Sequence, residues 1–436
     1  MAAKKKAVKK PKGKAKGKGK GGSGAPAPAP SGGFVFAEQK QTPDDFSGFS
    51  KQDVLADSSI RGLTTLEPFP ASRKPEVLSL DQVLGAAEIA KIKAAGQIVF
   101  HSVGDTGGIK EPSKQFAVAD AMASETGGGK TWPSGRPAFF YHLGDVVYYL
   151  GQERYYYDQF YDPYRDFDGP IFAIPGNHDG MISPTVGLKT LAGFLANFCT
   201  TKPVKNVEAQ GIPRTTMIQP GVYFTLDAPF VKIIGLYSNT SEGGTQGVIS
   251  GGVAGTNQLT FLQQQLKTAA QQRTAGDHRA LIVAVHHPPF TAGSDHTPSP
   301  NVLVDLDAAC KAAGIMPDLV LSGHAHLYER YTRVVAGNDI PFVVAGMGGY
   351  FNLSGFKGSK NPPPKPGTVT QDQQGNKLTL EKYEDKTFGF LRLTASATTI
   401  KGKFVTVDPA TYPTNHKTGE KDSFTIDLVR HKVSTP

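Results

Sequence analysis

The chain has 436 residues, of which 39% are hydrophobic, and its formal net charge is +9. That length suffices for one large catalytic domain or two ordinary ones, and no apolar run approaches the roughly 18 residues that a membrane span needs. The charge is concentrated at the N-terminus, where the first twenty residues hold ten lysines and no acidic residue, so the rest of the chain has a formal charge of about −1. The basic character therefore belongs to a tail and does not argue for a basic active site.

Residues 1–33 join this lysine run to "GGSGAPAPAPSGG". The composition predicts a disordered tail, because it cannot bury enough apolar surface to offset the entropy of ordering. Three roles for the tail remain open: a solvated extension, sequence-independent contact with nucleic-acid phosphates, and attachment to an anionic surface. The tail has no apolar segment of the kind found in secretory signals, which predicts a cytoplasmic location.

Residues 34–95 form a lead-in segment that ends in the helix-like stretch "LDQVLGAAEIAKIKAAG". From residue 96 onward, short apolar runs are separated by helix-like segments. Within each run, nearly every residue is apolar, without the regular apolar–polar pattern of a half-exposed strand. Such runs indicate strands that are covered on both faces. The alternation predicts an α/β layered fold with parallel strand pairs, in one catalytic domain at 96–436 whose C-terminal part is β-rich.

Two further features of the domain can be interpreted from composition. The segment "GFKGSKNPPPKPGTVTQDQQGN" predicts a long surface loop, because it is rich in glycine, proline and polar residues. The two cysteines, Cys199 and Cys310, are too few for a disulfide scaffold, and buried reduced thiols are the simpler expectation.

Polar side chains follow five of the apolar runs, in the stretches GDTGG, GDVVYY, GNHDG, VHHPPF and GHAHLYER. In layered α/β folds, ligands bind beyond the carboxyl ends of the strands. The side chains offer carboxylate, amide and imidazole groups, which are ligands for transition metals, and they exceed the needs of one tetrahedral zinc site. They are Asp105, Asp145, Asn177, His178, His286, His287, His324 and His326. Two ions that share a carboxylate would use such a set, and paired ions recur in enzymes that attack phosphorus.

The order of these five stretches resembles the signature of the calcineurin-like metallophosphoesterases. More narrowly, it is similar to the purple acid phosphatases in their short form, without an N-terminal fibronectin-like domain. The narrower resemblance depends on Tyr148 three residues after Asp145, on the continuation GHAHLYER, and on the ending "FGFLRLTASATT…DSFTIDL". It covers roughly residues 96–430. It implies a four-layer αββα sandwich of mixed sheets.

The resemblance also implies a role for each side chain. Ferric iron would be held by Asp105, Tyr148 and His326. A second ion of iron, zinc or manganese would be held by Asn177, His286 and His324, with Asp145 bridging the two ions.

Two histidines would act on the substrate rather than on the ions. The resemblance implies that His178 contacts the phosphate or the leaving group. The resemblance also makes His296, which lies ten residues after His286, a candidate proton donor. Tyr149 and His287 are predicted to be structural neighbours of ligands rather than ligands.

The function expected from this set is that of a binuclear metal-dependent phosphoric ester hydrolase, of the acid phosphatase type, that acts on phosphomonoesters through metal-activated hydroxide. Phosphodiesters, nucleotides and phospholipids are alternative substrates for the same fold. A hypothesis of another class is a nucleic-acid-associated protein that acts through its lysine tail and uses the phosphatase fold as a scaffold. The complete ligand set argues against that hypothesis, because a retired active site usually loses ligands.

Overall fold

Two β-sheets lie face to face at the centre of the protein, which we describe from a computed structural model. The structure describes residues 67–126, 135–182, 189–239, 247–355, 365–413 and 417–435. The predicted tail at 1–33 and most of the lead-in segment lie outside these residues. Within them, no helix combines the length and the apolar character that crossing a bilayer would require.

The strands of the described residues are β1 (Val77–Ser79), β2 (Gln97–Val103), β3 (Phe139–His142), β4 (Ile171–Ala173), β5 (Phe224–Ala228), β6 (Val231–Leu236), β7 (Ala280–Val285), β8 (Leu319–Ser322), β9 (Tyr328–Val335), β10 (Asn338–Ala345), β11 (Val369–Gln371), β12 (Lys377–Glu384), β13 (Phe388–Ser396), β14 (Thr399–Asp408), β15 (Lys417–Asp427) and β16 (Lys432–Ser434). The α-helices are α1 (Asp81–Leu84), α2 (Ala86–Ala94), α3 (Pro112–Ser124), α4 (Asn177–Gly180), α5 (Ala192–Phe198), α6 (Asn257–Thr274) and α7 (Pro300–Ala313).

Both sheets are mixed. The larger has the order β1-β5-β6-β7-β8-β10-β9-β12-β11, and the smaller has the order β16-β15-β14-β13-β2-β3-β4. Strands β2, β3 and β4 are parallel neighbours, and so are β6, β7 and β8. The carboxyl ends of these parallel strands carry the five polar stretches, so the topology collects those stretches at one end of the sandwich. The α/β fold with two mixed sheets and outer helices is confirmed.

The core explains why the apolar runs do not alternate. Phe139 and Tyr141 of β3 pack between the two sheets, whereas Phe140 packs on the opposite side of the same strand. Strand β7 behaves in the same way, with Ile282 between the sheets and Val283 in the outer cluster that includes residues of α6 and α7. Both faces of these strands are buried, so every position favours an apolar residue.

Three local features differ from the sequence expectations or extend them. The predicted loop after residue 354 contains an edge strand, β11, which pairs with β12; residues 356–364 of that segment lie outside the described residues. The lead-in segment supplies strand β1, which pairs with β5 and which no periodicity had signalled because it has only three residues. The helix-like stretch after it is divided into α1 and α2 at Gly85, whose φ of 81° ends the first helix.

The prediction for the cysteines is confirmed, since Cys199 and Cys310 are buried and unpaired. Burial raises the pKa of each thiol to about 12. Both thiols are therefore protonated near neutral pH, which makes them weak nucleophiles.

A buried ion pair connects the two sheets. Arg330 of β9 donates to both carboxylate oxygens of Asp422 in β15, at 2.6 and 3.1 Å, and the Tyr328 hydroxyl donates to the same carboxylate at 2.8 Å. Arg330 and Asp422 are almost completely buried. A buried pair of this kind depends on both partners, because removal of one leaves the other charge without compensation.

We therefore expect Asp422→Asn to lower the free energy of unfolding by about 3–5 kcal/mol, measured by urea denaturation. Glu420→Gln is the matched control, since Glu420 lies two residues away in the same strand and pairs with Lys403 at the surface. That exposed pair should contribute about 0–1 kcal/mol. Equal losses for the two variants would show that the buried pair is not important for the packing of the sheets.

Candidate metal centre

The predicted ligands lie in sharp turns that follow the strands. Asp105, Asp145 and His324 have φ values of 57°, 55° and 68°, in the left-handed region that residues with a side chain seldom adopt. Each such residue costs on the order of 1 kcal/mol or more of strain, and this strain is concentrated at functional sites. The turns direct three ligand side chains toward the space between the strand ends.

Two glycines allow the turns to approach one another. A Cβ atom on Gly176 would lie 2.1 Å from Oδ1 of Asp145, and a Cβ atom on Gly144 would lie 2.6 Å from Nδ1 of His286. No other residue would fit at either position without displacing a predicted ligand. The glycines before Asp145 and Asn177 are therefore required by close contact between loops.

One group of donor atoms consists of the side chains predicted for the first ion. The Tyr148 hydroxyl lies 3.4 Å from Oδ1 of Asp105 and 3.3 Å from Nε2 of His326. Nε2 of His326 lies 3.5 Å from the same Asp105 oxygen. All three side chains are buried, so the three atoms form a compact triangle away from bulk water.

A second group consists of the side chains predicted for the second ion. Oδ1 of Asn177 lies 3.2 Å from Nε2 of His286 and 3.0 Å from Nδ1 of His324. Oδ2 of Asp145 lies 3.3 Å from Nε2 of His286. Asp145, His286 and His324 together offer three ligand atoms within 4.8 Å of one another.

Backbone carbonyls fix the orientation of two of the imidazoles. Nδ1 of His286 donates to the carbonyl oxygen of Leu143 at 2.8 Å, and Nδ1 of His326 donates to that of Asn352 at 3.0 Å. Because a carbonyl only accepts, Nδ1 carries the proton and Nε2 faces the other donor atoms. Metal-binding histidines are commonly oriented in this way.

The electrostatics of the site follow from the burial of two carboxylates. Burial raises the pKa of Asp105. Burial acts in the same direction on Asp145, but His286 and His178 outweigh it and hold the pKa of that carboxyl below its usual range. Burial, together with the Asp145 and Asp105 carboxylates, raises the pKa of the Tyr148 phenol.

The donor set fits two transition-metal ions. Donor atoms that bind one ion at about 2.0–2.2 Å lie about 3–3.5 Å apart, which is the spacing observed within each group. The first group offers a carboxylate, a phenol and an imidazole, and the second an amide oxygen and two imidazoles. Carboxylates this deeply buried are stabilised by nearby positive charge. The residues present therefore match the chemistry of the predicted centre.

The two predicted substrate-contacting histidines lie at the edge of this centre. The backbone N–H of His178 donates to Oδ1 of Asp145 at 2.9 Å, and its Nδ1 donates to the Tyr149 carbonyl at 2.9 Å. The ring of His296 lies 4.3 Å from that of His324 and 4.9 Å from that of His326, between centroids. His178 therefore reaches the donor groups from the short helix α4, and His296 reaches them from a loop.

The two tyrosines of GDVVYY differ in their surroundings. The Tyr148 hydroxyl belongs to the first donor group. The ring of Tyr149 lies perpendicular to that of Tyr148, with centroids 6.1 Å apart, and both rings pack in a small apolar cluster with Leu150 and Met181. The Tyr148 hydroxyl thus lies among the donor atoms, and the assignment of Tyr148 as a ligand and Tyr149 as a packing residue stays a prediction.

His287 is anchored by Ser238 beside the second donor group. Its Nδ1 donates to the Ser238 carbonyl at 2.9 Å, and its backbone N–H donates to the Ser238 hydroxyl at 3.0 Å. Its ring packs against that of His324, with centroids 4.1 Å apart. These contacts agree with a structural role beside a ligand.

Two residues that the sequence interpretation did not select also shape the site. The carboxylate of Asp179 accepts backbone N–H groups of Val146, Val147 and Gly176, and it thereby joins two of the ligand-bearing loops. The ring of Tyr350 stacks on that of Tyr148, with centroids 4.2 Å apart. The acidic residue in GNHDG could have been selected from its position, whereas Tyr350 lies far along the chain in a glycine-rich turn.

Cavity volume does not identify this centre. A cavity of about 1250 Å³ lies at the other end of the sandwich, where its lining includes Phe230, Arg279 and Thr398. Those residues precede or connect strands on the side remote from the ligand-bearing loops. The donor groups are recognised by chemistry and spacing.

Paired donor groups at the carboxyl ends of two facing mixed sheets define a metallophosphoesterase. The chain belongs to the calcineurin-like phosphoesterase family, whose model matches residues 101–328, more than half of the chain. The matched range contains all the predicted ligands. The broader of the two resemblances found in the sequence is thereby confirmed.

Comparison with solved structures finds similar folds at low identity. GAP50, described as the anchor in the inner membrane complex of Plasmodium, is 17% identical, with 74% of this chain and 88% of that chain covered and a TM-score of 0.46. PhoD is 12% identical, with 78% and 71% covered and a TM-score of 0.45. A putative 5'-nucleotidase from Staphylococcus aureus is 16% identical, with 66% and 53% covered and a TM-score of 0.32. No curated protein matched the chain.

The neighbouring histidines provide a test of the centre. We expect His286→Asn to lose the ion of the second donor group, because it removes a ligand atom 3.2 Å from Asn177 Oδ1. His287→Asn should retain both ions, since its Nδ1 is engaged by Ser238. Elemental analysis of the purified variants measures the stoichiometry. Loss of an ion from the His287 variant alone would contradict the assignment.

Proposed function

We propose that the protein is a binuclear metal-dependent phosphoric ester hydrolase of the purple acid phosphatase type, acting on phosphomonoesters. The observation that carries the proposal is the convergence of the two donor groups. Asp145 lies beside the second group and in the same loop as Tyr148 of the first group. The Tyr148 phenol within the first group favours the purple acid phosphatase type over other metallophosphoesterases. An iron(III) ion in that group and iron, zinc or manganese in the second would suit these donors.

The predicted ligands would bind two metal ions. Asp105, Tyr148 and His326 would hold one ion, and Asn177, His286 and His324 the other, with Asp145 shared. When bound, such ions neutralise phosphate oxygens and activate water as a nucleophile.

His178 and His296, beside the donor groups, would contact the substrate. His178 is held by two hydrogen bonds beside Asp145, and we expect its imidazole to contact a phosphate oxygen. His296 packs on two ligand histidines and would supply the proton that the departing alkoxide needs. These positions support the roles, which remain part of the proposal.

The test is hydrolysis by the purified protein. We expect metal-dependent release of phosphate from p-nitrophenyl phosphate, with slower turnover of the corresponding diester. Asp145→Asn should lower kcat/KM by roughly a thousandfold or more, because several kcal/mol of charge stabilisation depend on the ions. Protein with fewer than two equivalents of metal and no phosphatase activity would contradict the proposal. Preference for the diester would place the protein among the phosphodiesterases of the fold.

The tyrosines provide a spectroscopic test of the ferric site. A phenolate bound to iron(III) gives a visible charge-transfer band, and Tyr148→Phe should abolish that band. Tyr149→Phe is the matched control and should leave the band in place, because it keeps the Tyr148 hydroxyl that lies beside Asp105 and His326. If the iron-loaded wild-type protein were colourless, the purple acid phosphatase type would be excluded and the broader family would stand.

A further inference from the structure

The backbone of Tyr148 is paired with a buried side-chain amide. The Tyr148 N–H donates to Oε1 of Gln159 at 2.8 Å, and Nε2 of Gln159 donates to the Tyr148 carbonyl at 2.9 Å. Gln159 is fully buried. The amide thus makes the pair of hydrogen bonds that a neighbouring strand would make, at a residue that lies beyond the end of β3.

A second buried glutamine holds the first. Nε2 of Gln115, in α3, donates to the carbonyl oxygen of Gln159 at 2.6 Å, and Oε1 of Gln115 accepts the N–H of Gly108 at 2.8 Å. Gly108 follows Asp105 in the loop after β2, and Tyr148 follows Asp145 in the loop after β3. The two glutamines therefore connect the loops that carry two members of the first donor group, Asp105 and Tyr148.

The packing around this connection leaves little space for movement. A Cβ atom on Gly107 would lie 2.3 Å from Oε1 of Gln159 and 2.6 Å from Cδ2 of Tyr148. On its other side, the Tyr148 ring stacks on Tyr350. These contacts pack closely around the ring, and Gln159 holds the backbone that carries it.

We propose that Gln159 is the positioning residue for Tyr148, and that its amide sets the place of the phenol oxygen in the first donor group. Gln115 supports it through the Gln159 carbonyl. The inference rests on the proposed function insofar as the phenol serves an ion. The two hydrogen bonds between Gln159 and the Tyr148 backbone, which we call the clamp, are present without an ion. Partners that orient metal ligands typically change affinity roughly 10- to 100-fold when they are removed.

The chain contains a matched control for this clamp. Oε1 of Gln258 accepts the N–H of Tyr237 at 2.7 Å, and its Nε2 donates to the carbonyls of Tyr237 and Ile249 at 2.8 and 3.0 Å. Gln258, in α6, is also fully buried, and its partner Tyr237 directly follows β6. Its clamp has the same geometry, but Tyr237 is not among the proposed ligands.

The experiment compares Gln159→Met with Gln258→Met in the full chain. In the metal-free proteins, hydrogen–deuterium exchange should be faster at the peptide containing Tyr148 in the first variant only. On titration with iron(III), the first variant should bind the ion of the Tyr148 group roughly 10- to 100-fold more weakly and show a shifted or weaker visible band. The control should stay within about twofold of the wild type, because Gln258 pairs with Tyr237, which is not among the proposed ligands. Thermal unfolding of both variants reports any general loss of stability.

The outcomes separate this inference from the proposed function. If wild-type protein binds no metal, the proposed function fails, and the exchange comparison still tests the clamp. If both variants lose iron equally, or if Gln159→Met binds it as tightly as the wild type, Gln159 is not a positioning residue. Should Gln159→Met fail to fold, Gln115→Met replaces it, with a smaller change expected in the same direction.

Discussion

The burial of two carboxylates, Asp105 and Asp145, in one small space is the constraint on which the site depends. A buried anion is costly unless positive charge or hydrogen-bond donors surround it. Here, backbone N–H groups of His324 and His178 supply one donor to each carboxylate. The left-handed turns and the small glycines are the means by which the chain brings these groups together. Cations would therefore stabilise the two buried carboxylates further, and the two packed sheets hold the carboxylates in place.

The packing of the two sheets sets the distances within the site. Each donor group takes members from both sheets: Asp105 and Tyr148 follow strands of the smaller sheet, whereas His326 lies between β8 and β9 of the larger one. The second group likewise joins Asn177 to His286 and His324. A shift of one sheet relative to the other would therefore separate the donors of both groups at once. The buried pair of Arg330 with Asp422, close after His326 in the chain, opposes such a shift.

The sequence predicted those parts of the protein that are encoded locally. Apolar runs that end in polar residues locate β2, β3, β4, β7 and β8 and the side chains beyond them, because a strand buried on both faces has no polar alternation to obscure it. Strand β11 was missed, since an edge strand of three exposed residues has the composition of a loop. Gln159, Asp179 and Tyr350 were missed for a different reason. Their importance comes from contacts across the fold with Tyr148 or its neighbours, and neither spacing nor composition signals such contacts.

The structure uses glutamine repeatedly where a strand lacks a neighbour. Gln159 pairs with Tyr148, Gln219 pairs with both backbone groups of Ala173 in β4, and Gln258 pairs with Tyr237 after β6. A side-chain amide offers one donor and one acceptor at the separation of a peptide group, so it satisfies buried backbone that a sheet would otherwise leave unpaired. Such pairing holds a loop in place without a further strand, so that the space beyond the end of the strand remains available for other side chains. A glutamine side chain therefore pairs with the backbone of β4 at Ala173, and another holds the backbone of the proposed ligand Tyr148, where no strand of the described residues is its neighbour.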